Sequence, residues 1–476
     1  MEEQERERRK KLEKLRKEEQ ESPYSLEKVS NTEHLGLLIK SYGKESREWL
    51  EKNTEDTKVV GRVISIRLPF CTIREEWNDF QMYFPKDSNS YAYFEKYVDV
   101  GDFIFARGRL FKTKLQVLTL RAEKVKLITK SLNPFPDQYY GIKDKELQLR
   151  NRVTHCLVDK EVFNTFQLRS RIIWHIRSFL HQNSYMEVET PILQSIYGGA
   201  TAEPFKTYYE SLKSDFFLRI APELPLKKLI IAGFPKVFEI GKVFRNEGID
   251  STHNPEFTSL EIYTVNHGLE EVMNLTEQIF QEVAKELKCT NLNWNGYEDI
   301  DLTKPFKRVR ISELLSEKLD EDFYKSSCSL EKALKLEQEH LLELKEDEKS
   351  VGNIIHKLFE KYIEKDLIQP TFVTYFHKDV SPLAKSDPNN QEFTLRYELY
   401  IGGKEFANGF AELNDPDDQL ERFKQQREEV DYDYINAMKY GLPPTGGIGI
   451  GIDRLVMLFT QKNSIKDVIF FPHLKK

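Results

Sequence analysis

Residues 244–257 read FRNEGIDSTHNPEF, which crowds Arg245, Glu247, Asp250, His253 and Glu256 between two phenylalanines. The flanks, KVFEIGKVF (236–244) and TSLEIYTV (258–265), alternate apolar and polar residues as β-strands do. An antiparallel hairpin with a charged tip and an aromatic base is expected. Arg245, at a strand end, presents a planar fork suited to phosphate or carboxylate. His253 adds a donor, and Phe257 offers a ring face for stacking. On these residues alone, a decorated turn and a grip on a polyanion plus a flat ring are both open.

The rest of the chain narrows the class. Its 476 residues allow roughly two to four domains and a large core. A composition of 39% hydrophobic and 12% aromatic residues excludes a mostly disordered chain. Cys71, Cys156, Cys289 and Cys328 lie far apart with no C-x-x-C pair. Neither a zinc site nor a disulfide scaffold is indicated, and a reducing compartment fits. No apolar run reaches the ~20 residues of a membrane span, and no secretory apolar segment opens the chain. A soluble, cytoplasmic protein without a membrane partner is expected. Net charge is −7, from 71 basic and 78 acidic residues, which by itself argues against nucleic acid. Residues 58–130 nevertheless hold 14 Lys/Arg against 8 Asp/Glu, a surplus of six. Such a basic module suits phosphate contacts, although a charge surplus is also an ordinary solvated surface.

Residues 2–21, EEQERERRKKLEKLRKEEQE, have Leu12 and Leu15 as their apolar anchors. A solvated helix laced with i,i+4 pairs is expected there, ahead of a dedicated RNA-binding arm. From about Val59 short alternating runs follow, among them VVGRVISIR, DFQMYF and DFIFARGRLF. They make about five strands, the pattern of a small closed barrel such as the OB-fold. SLNPFPDQYYG (131–141) reads as a Pro-punctuated linker. Beyond it, Ile172, Ile173, Ile176, Phe179 and Leu180 share one helix face before a strand ending near Pro191. The expected division is a charged helical extension (1–56), an OB barrel (57–130), a linker (131–150) and an α+β domain (151–476). Residues 270–288 and 329–366 read as charged accessory helices, so that domain carries a helical insertion around 270–370.

Three further clusters carry chemistry. Glu398 and Glu405, in ELYIGGKE within a strand candidate over 396–413, fall on opposite faces of one strand unless Gly402–Gly403 bends or turns it. With the bend, both carboxylates can share Mg²⁺, which takes one or two carboxylates plus phosphate oxygens. Without it, they are ordinary surface charges. GIGIGIDR (447–454) lacks the spacing and βαβ context of a dinucleotide fingerprint. Its alternate glycines leave one strand face bare, open to a flat or bulky neighbour, and Arg454 is a second candidate phosphate ligand. In ANGFAELND (407–415), Asn408, Phe410 and Glu412 share a strand face. A buried carboxylate is costly unless paired, so Glu412 must meet a cation, structural or bound.

Taken together, the Arg-bearing hairpin, the glycine strand ending in Asp453–Arg454 and the helix–strand ending in ETPIL resemble motifs 2, 3 and 1 of the class II aminoacyl-tRNA synthetases. GGATAEPF (198–205), LRIAPEL (218–224), VSPLAK (380–385), NGFAELNDPDDQ (408–419) and GLPPTGGIGIGIDR (441–454) resemble the lysyl-tRNA synthetases of subclass IIb. The resemblance runs from about Arg6 to Lys476. It implies an α+β protein: an N-terminal OB barrel that reads the anticodon, then an antiparallel sheet flanked by helices, dimerising through motif 1. It implies a ligase that makes lysyl-adenylate from lysine and ATP and passes the lysyl group to the 3′ end of tRNA(Lys). Mg²⁺, up to three ions per site, is the implied cofactor.

Carried over by resemblance, Arg245 holds the α-phosphate and the lysine carboxylate, Glu247 the adenine amine and Phe257 the ring. His253 and Arg454 contact the outer phosphates, with Asn254, Gly451 and Glu398 completing the ATP site. Glu398 and Glu405 hold the metal. For lysine, Glu223 takes the α-amino group, Asn408 lies near the carboxylate, and Glu412 and Tyr263, with Glu261 nearby, hold the ε-ammonium; Gly199 and Phe410 complete the lysine site. In the barrel, Arg67, Phe70 and Gln81 match the anticodon-reading positions. Three departures stand out. Glu203 replaces the usual basic residue, the LPF turn after Arg67 is short, and the segment after ELNDPDDQ is compact. The alternatives are a synthetase for aspartate or asparagine, a paralogue that lysylates a protein, and a non-catalytic tRNA-binding or regulatory protein.

Overall fold

The computed structural model describes residues 2–20, 22–25, 27–29, 32–54, 56–135, 141–200, 202–320, 323, 329–425 and 430–475. Cys328 and the middle of the expected linker lie outside them. The chain forms two compact units, Met1–Lys143 with Val153–Lys160, and Asp144–Arg152 with Glu161–Lys476.

In the first unit, β1 (Thr57–Arg67), β2 (Phe70–Glu75), β3 (Asn78–Tyr83), β4 (Phe103–Lys112) and β5 (Leu118–Thr129) close into a barrel in the order β1-β2-β3-β5-β4. Alternate residues such as Val59, Ile73, Met82, Ile104 and Leu120 fill its interior. The N-terminal helix α1 (Glu2–Glu18) differs from the solvated helix expected of its charge. Leu12 and Leu15 are buried, and Leu15 joins Leu35, Leu38 and Leu50 in the barrel's own core. Lys11 pairs with Asp99, and Arg8 donates to the carbonyls of Val100 and Ser131. Two leucines one turn apart suffice to dock the helix, so residues 1–56 are not a separate extension.

The second unit is built on an eight-stranded sheet. Its strands are β6 (Met186–Glu187), β7 (Lys236–Phe244), β8 (Glu256–Val265), β9 (Lys307–Arg310), β10 (Thr371–Thr374), β11 (Arg396–Ile401), β12 (Lys404–Ala411) and β13 (Thr445–Gly451), in the order β9-β10-β11-β12-β13-β8-β7-β6. Only the outermost pairs, β9/β10 and β6/β7, are parallel. One face packs on α2 (Lys160–Gln182), through Ile172, Ile176 and Leu180, on α4 (Leu269–Leu287) and on α6 (Ile452–Thr460). The opposite face carries polar residues, and α3 (Glu223–Ile231) adjoins it.

Two expectations about this unit need correction. Helix α4 is no accessory: Val272, Met273, Ile279, Phe280 and Val283 sit in the main core, so its charges form only the outer face of an amphipathic helix. The insertion is accordingly shorter than 270–370, because β9 rejoins the sheet. Its helices, including α5 (Val351–Tyr362), form a satellite core with Val373, Phe376 and Tyr400.

Candidate active site

The hairpin β7/β8 has the expected register, with Phe244 opposite Glu256 and Val243 opposite Phe257. From Phe257 onward, Ser259, Glu261 and Tyr263 share the open face of β8. Gly447, Gly449 and Gly451 of β13 and Asn408 and Phe410 of β12 meet it, and all line one cleft of about 1550 Å³. Gly199, Glu223, Arg245, Glu247, His253, Asn254, Glu398, Glu405 and Arg454 line the same cleft. Glu412 lies beneath it, 1% exposed.

The glutamate pair resolves cleanly. Gly402 and Gly403 take φ of +56° and +68°, so ELYIGGKE turns there as a two-residue hairpin rather than bending as one strand. Tyr400 then faces Glu405 across the strands. Glu398, two residues before Tyr400, therefore shares its face and that of Glu405. A bulge at Phe406 shifts the register, so that Glu398 opposes Asn408 and this side chain also turns to the cleft. Arg396 donates to Glu398 at 2.5 Å and to Asn408 Oδ1 at 2.9 Å, while Tyr400 donates to Glu398 at 2.5 Å. Asn408 is thereby left with its amide N–H donors for the cleft. Glu405 keeps 42% of its side-chain surface open, but toward the cleft rather than bulk water. Burial and then the charge of Glu398 raise its carboxyl, with Arg454 pulling the other way.

At the other end of the cleft, Arg245 donates to the Ile220 carbonyl at 3.4 Å and lies 5.3 Å from the centre of the Phe257 ring. Arg454 donates to the Glu405 carbonyl at 2.6 Å and approaches His253 Nε2 at 3.4 Å. The other ring nitrogen of His253 sits 2.8 Å from Asp250. Burial opposes it, but hydrogen bonds from His253 and from the backbone of Thr252 and His253 hold the Asp250 carboxyl well below its usual range. Glu247 stands in the exposed loop, with no hydrogen bond or ion pair to other described residues. Asn254 is 4% exposed and donates to the Glu256 carbonyl, so it braces the loop as well as lining the cleft.

Below the aromatic face, Lys227 of α3 is fully buried, 2.6 Å from Glu223 and 2.5 Å from Glu412. Burial pulls the Lys227 ammonium down, yet the two carboxylates outweigh it and raise its pKa. Burial pushes Glu223 and Glu412 up, and Lys227 draws both back. Glu261 accepts from Tyr263 at 3.2 Å and Ser259 at 3.3 Å. The bare face of Gly447 admits one group in particular, since a Cβ there would stand 2.0 Å from Glu412 Oε1.

The donor set fits a hard cation completed by phosphate oxygens, because Glu398 and Glu405 are two carboxylates on one face whose mutual repulsion a divalent ion relieves. Among the described residues no group of three or more His, Cys, Asp or Glu side chains forms a self-sufficient metal site.

In the first unit, Phe70 and Gln81 both point outward, because Cys71, Phe80 and Met82 point inward. Phe70 lies 5.1 Å from Tyr83, itself 6.0 Å from Phe111, and Thr119 donates to Gln81 at 2.9 Å. Arg67 pairs with Phe70 across the short Leu68–Pro69 link, so the shortened turn keeps all three residues together. Glu203 is exposed and outside the cleft lining, and its carbonyl accepts from the Asn246 N–H.

Residues 144–475 match the family model of the class II tRNA synthetases (D, K and N). The chain belongs to that family. It is 48% identical to the lysine–tRNA ligase of Mycoplasma mobile, over 98% of this chain and 97% of that one. It is 44% identical to the lysine–tRNA ligase of Malacoplasma penetrans over the same shares, and 43% identical to that of Lactococcus lactis subsp. cremoris over 94% of each. The fold agrees with a class II synthetase: a mostly antiparallel sheet flanked by helices, with a closed five-stranded barrel in the N-terminal unit.

Sequence reasoning missed the residues that hold this synthetase site in shape. Lys227 was legible as a lysine inside the apolar run ELPLKKLII, one helical turn after Glu223. Arg396 was legible from its alternation with Glu398 and Tyr400. Asp453 anchors the strand–helix junction, accepting from Arg169 at 2.6 Å and from the Thr258 N–H at 2.7 Å, so that its neighbour Arg454 faces the cleft. Arg219 and Glu239, a buried pair beneath the hairpin, left no signal in the local pattern.

Proposed function

We propose that the chain is a lysine–tRNA ligase, activating lysine with ATP and transferring it to tRNA(Lys). The observation that carries this is the polarity of the cleft. One end offers Arg245, Arg454 and His253 to phosphates; the other holds Glu223, Glu261 and Glu412 against the single ammonium of Lys227. Three carboxylates against one cation suit a ligand with two ammonium groups. They repel aspartate and offer no gain for asparagine, which disposes of those alternatives.

Adenylation needs no side-chain nucleophile, because the amino-acid carboxylate attacks the α-phosphorus and pyrophosphate leaves in line. The chain's own contribution is positioning and charge neutralisation. Arg245 bridges the carboxylate and α-phosphate. Phe257 supports the adenine on one face and Arg454 on the other, and Glu247 accepts from the adenine amine. His253, oriented by Asp250, and Arg454 meet the departing phosphates. Asn408, oriented by Arg396, donates to the carboxylate. Glu398 and Glu405 would hold Mg²⁺, which when bound would supply charge neutralisation at the phosphates. The barrel face of Phe70, Gln81 and Arg67 takes single-stranded anticodon bases by stacking and edge hydrogen bonds.

No described helix is long and apolar enough to cross a membrane, which accords with a cytoplasmic translation enzyme. A homodimer through motif 1 fits the exposed Trp174, Met186, Ile192 and Leu193 on and after α2. Pyrophosphate exchange assayed with each of the twenty amino acids tests the function: lysine alone gives strong Mg²⁺-dependent exchange. Exchange driven by another amino acid, or tRNA binding with no exchange at all, rejects it.

A further inference from the structure

The three carboxylates of the amino-acid pocket are not equivalent. Lys227 Nζ touches Glu223 at 2.6 Å and Glu412 at 2.5 Å, so two of them have a cation of the protein's own. Glu261 has none in contact. Its partners on β8 are the hydroxyls of Tyr263 and Ser259, at 3.2 and 3.3 Å. From β13 it faces Gly449, where a Cβ would stand 3.3 Å from Oε1 and no charge is present. From α3 it feels the like charge of Glu223, and from the residue after β12 that of Glu412. Arg245, at the end of β7, is the cation acting on it, and it is engaged with the Ile220 carbonyl and the Phe257 ring.

We propose that Glu261 is protonated in the empty pocket and that lysine capture exchanges this proton for an ammonium group of the ligand, making amino-acid recognition proton-linked. The inference rests on the lysine reading above. Its physical basis is an uncompensated carboxylate beside like charge in a confined site, where the neutral acid is the stable form until a cation arrives. Burial first, and the charge of Glu223 second, push this carboxyl up to about 8. The sign follows. An acid raised to about 8 is protonated at neutral pH, so binding a cation must release the proton. Affinity for lysine then falls as pH drops below that value, by about tenfold per unit. Lys227 sets Glu261 apart, because it lies in contact with Glu223 and Glu412 and draws both toward the ionised form, while Glu261 has no such partner.

Titration calorimetry of lysine into the full-length protein at pH 6.5, repeated in buffers of different ionisation enthalpy, counts the protons exchanged. Close to one proton released per lysine bound is expected, with the lysine Kd rising about tenfold per pH unit between pH 7.5 and 5.5. Glu261→Gln should bind lysine more weakly, lose the proton release and flatten the pH profile. Lysine binding with no proton release, or release unchanged in Glu261→Gln, overturns the inference. If the variant binds too weakly to titrate, the proton count and pH slope of the unaltered protein decide alone. Failure of the unaltered protein to bind lysine at all instead rejects the functional reading.

Discussion

At the scale of single residues, the site depends on close approaches that tolerate little change. Gly447 is the sharpest case, since any side chain there collides with the Glu412 carboxylate at 2.0 Å. Gly447→Ala should displace that carboxylate and raise the lysine KM by about 10- to 100-fold, on the order of 1–3 kcal/mol for a disturbed buried polar contact. The ATP KM should be near normal, which steady-state exchange kinetics will read; equal changes in both would contradict this role. Arg245→Ala should lower exchange by about 10²–10³-fold or more, as expected of a group stabilising transition-state charge; an exchange rate within a few-fold of normal would remove Arg245 from that role. Lys227→Met leaves two buried carboxylates without their cation and should destabilise the fold by about 3–5 kcal/mol. Chemical unfolding with Lys227→Arg as the charge-keeping control checks it. The chemistry-bearing residues were named through the family resemblance, since Arg245, His253 and Phe257 alone left a decorated turn open and Glu398 and Glu405 alone read as surface charges. The residues that orient them left only local hints, a lysine within the apolar run ELPLKKLII and an arginine alternating with Glu398. Lys227, Arg396 and Asp453 show their purpose only once α3, β11 and the β13–α6 junction are folded together.

At the scale of elements, the legibility turned on turns. Reading 396–413 as one strand put Glu398 and Glu405 on opposite faces unless Gly402–Gly403 bent or turned it, without deciding between the two. The two glycines close a hairpin, the turn of those two alternatives, and hairpin register puts the carboxylates on one face. Periodicity gives the faces of a strand but is silent about a chain reversal within it, whereas consecutive glycines with φ > 0 are the signature of a tight turn. The same limitation misfiled α4, whose charged outer face hid an apolar stripe in the main core. Gly403→Ala tests the hairpin. A non-glycine residue at φ of +68° costs about 1–2 kcal/mol, which equilibrium unfolding measures. The variant should also need more Mg²⁺ to reach half-maximal exchange, because the two carboxylates lose their register. An unchanged Mg²⁺ titration would show that the hairpin does not set their spacing.

On the scale of the whole molecule, charge and chemistry are divided between the two compact units. The net charge of −7 conceals a basic barrel, and the cleft assigned to lysine and ATP in the proposed function lies wholly within the second unit. Binding to tRNA and activation of lysine should therefore separate experimentally. Phosphate contacts make tRNA affinity fall steeply with salt through counterion release, while the adenylation cleft, which binds small ligands through fixed contacts, responds far less. Raising salt from 50 to 200 mM should weaken tRNA binding by at least an order of magnitude and change exchange by a few-fold at most. Phe70→Ala should act in the same direction without any change of salt. Loss of one stacking platform costs about 1–3 kcal/mol, or roughly 5- to 150-fold in tRNA affinity. Phe70 lies on the outer surface of a barrel whose core is filled by other side chains, so the fold and the exchange reaction should survive its removal. Filter binding of tRNA beside pyrophosphate exchange on the same preparations gives both readings. A parallel loss of the two would mean that Phe70 supports the barrel itself, and that the outward aromatic face is packing rather than a reading surface.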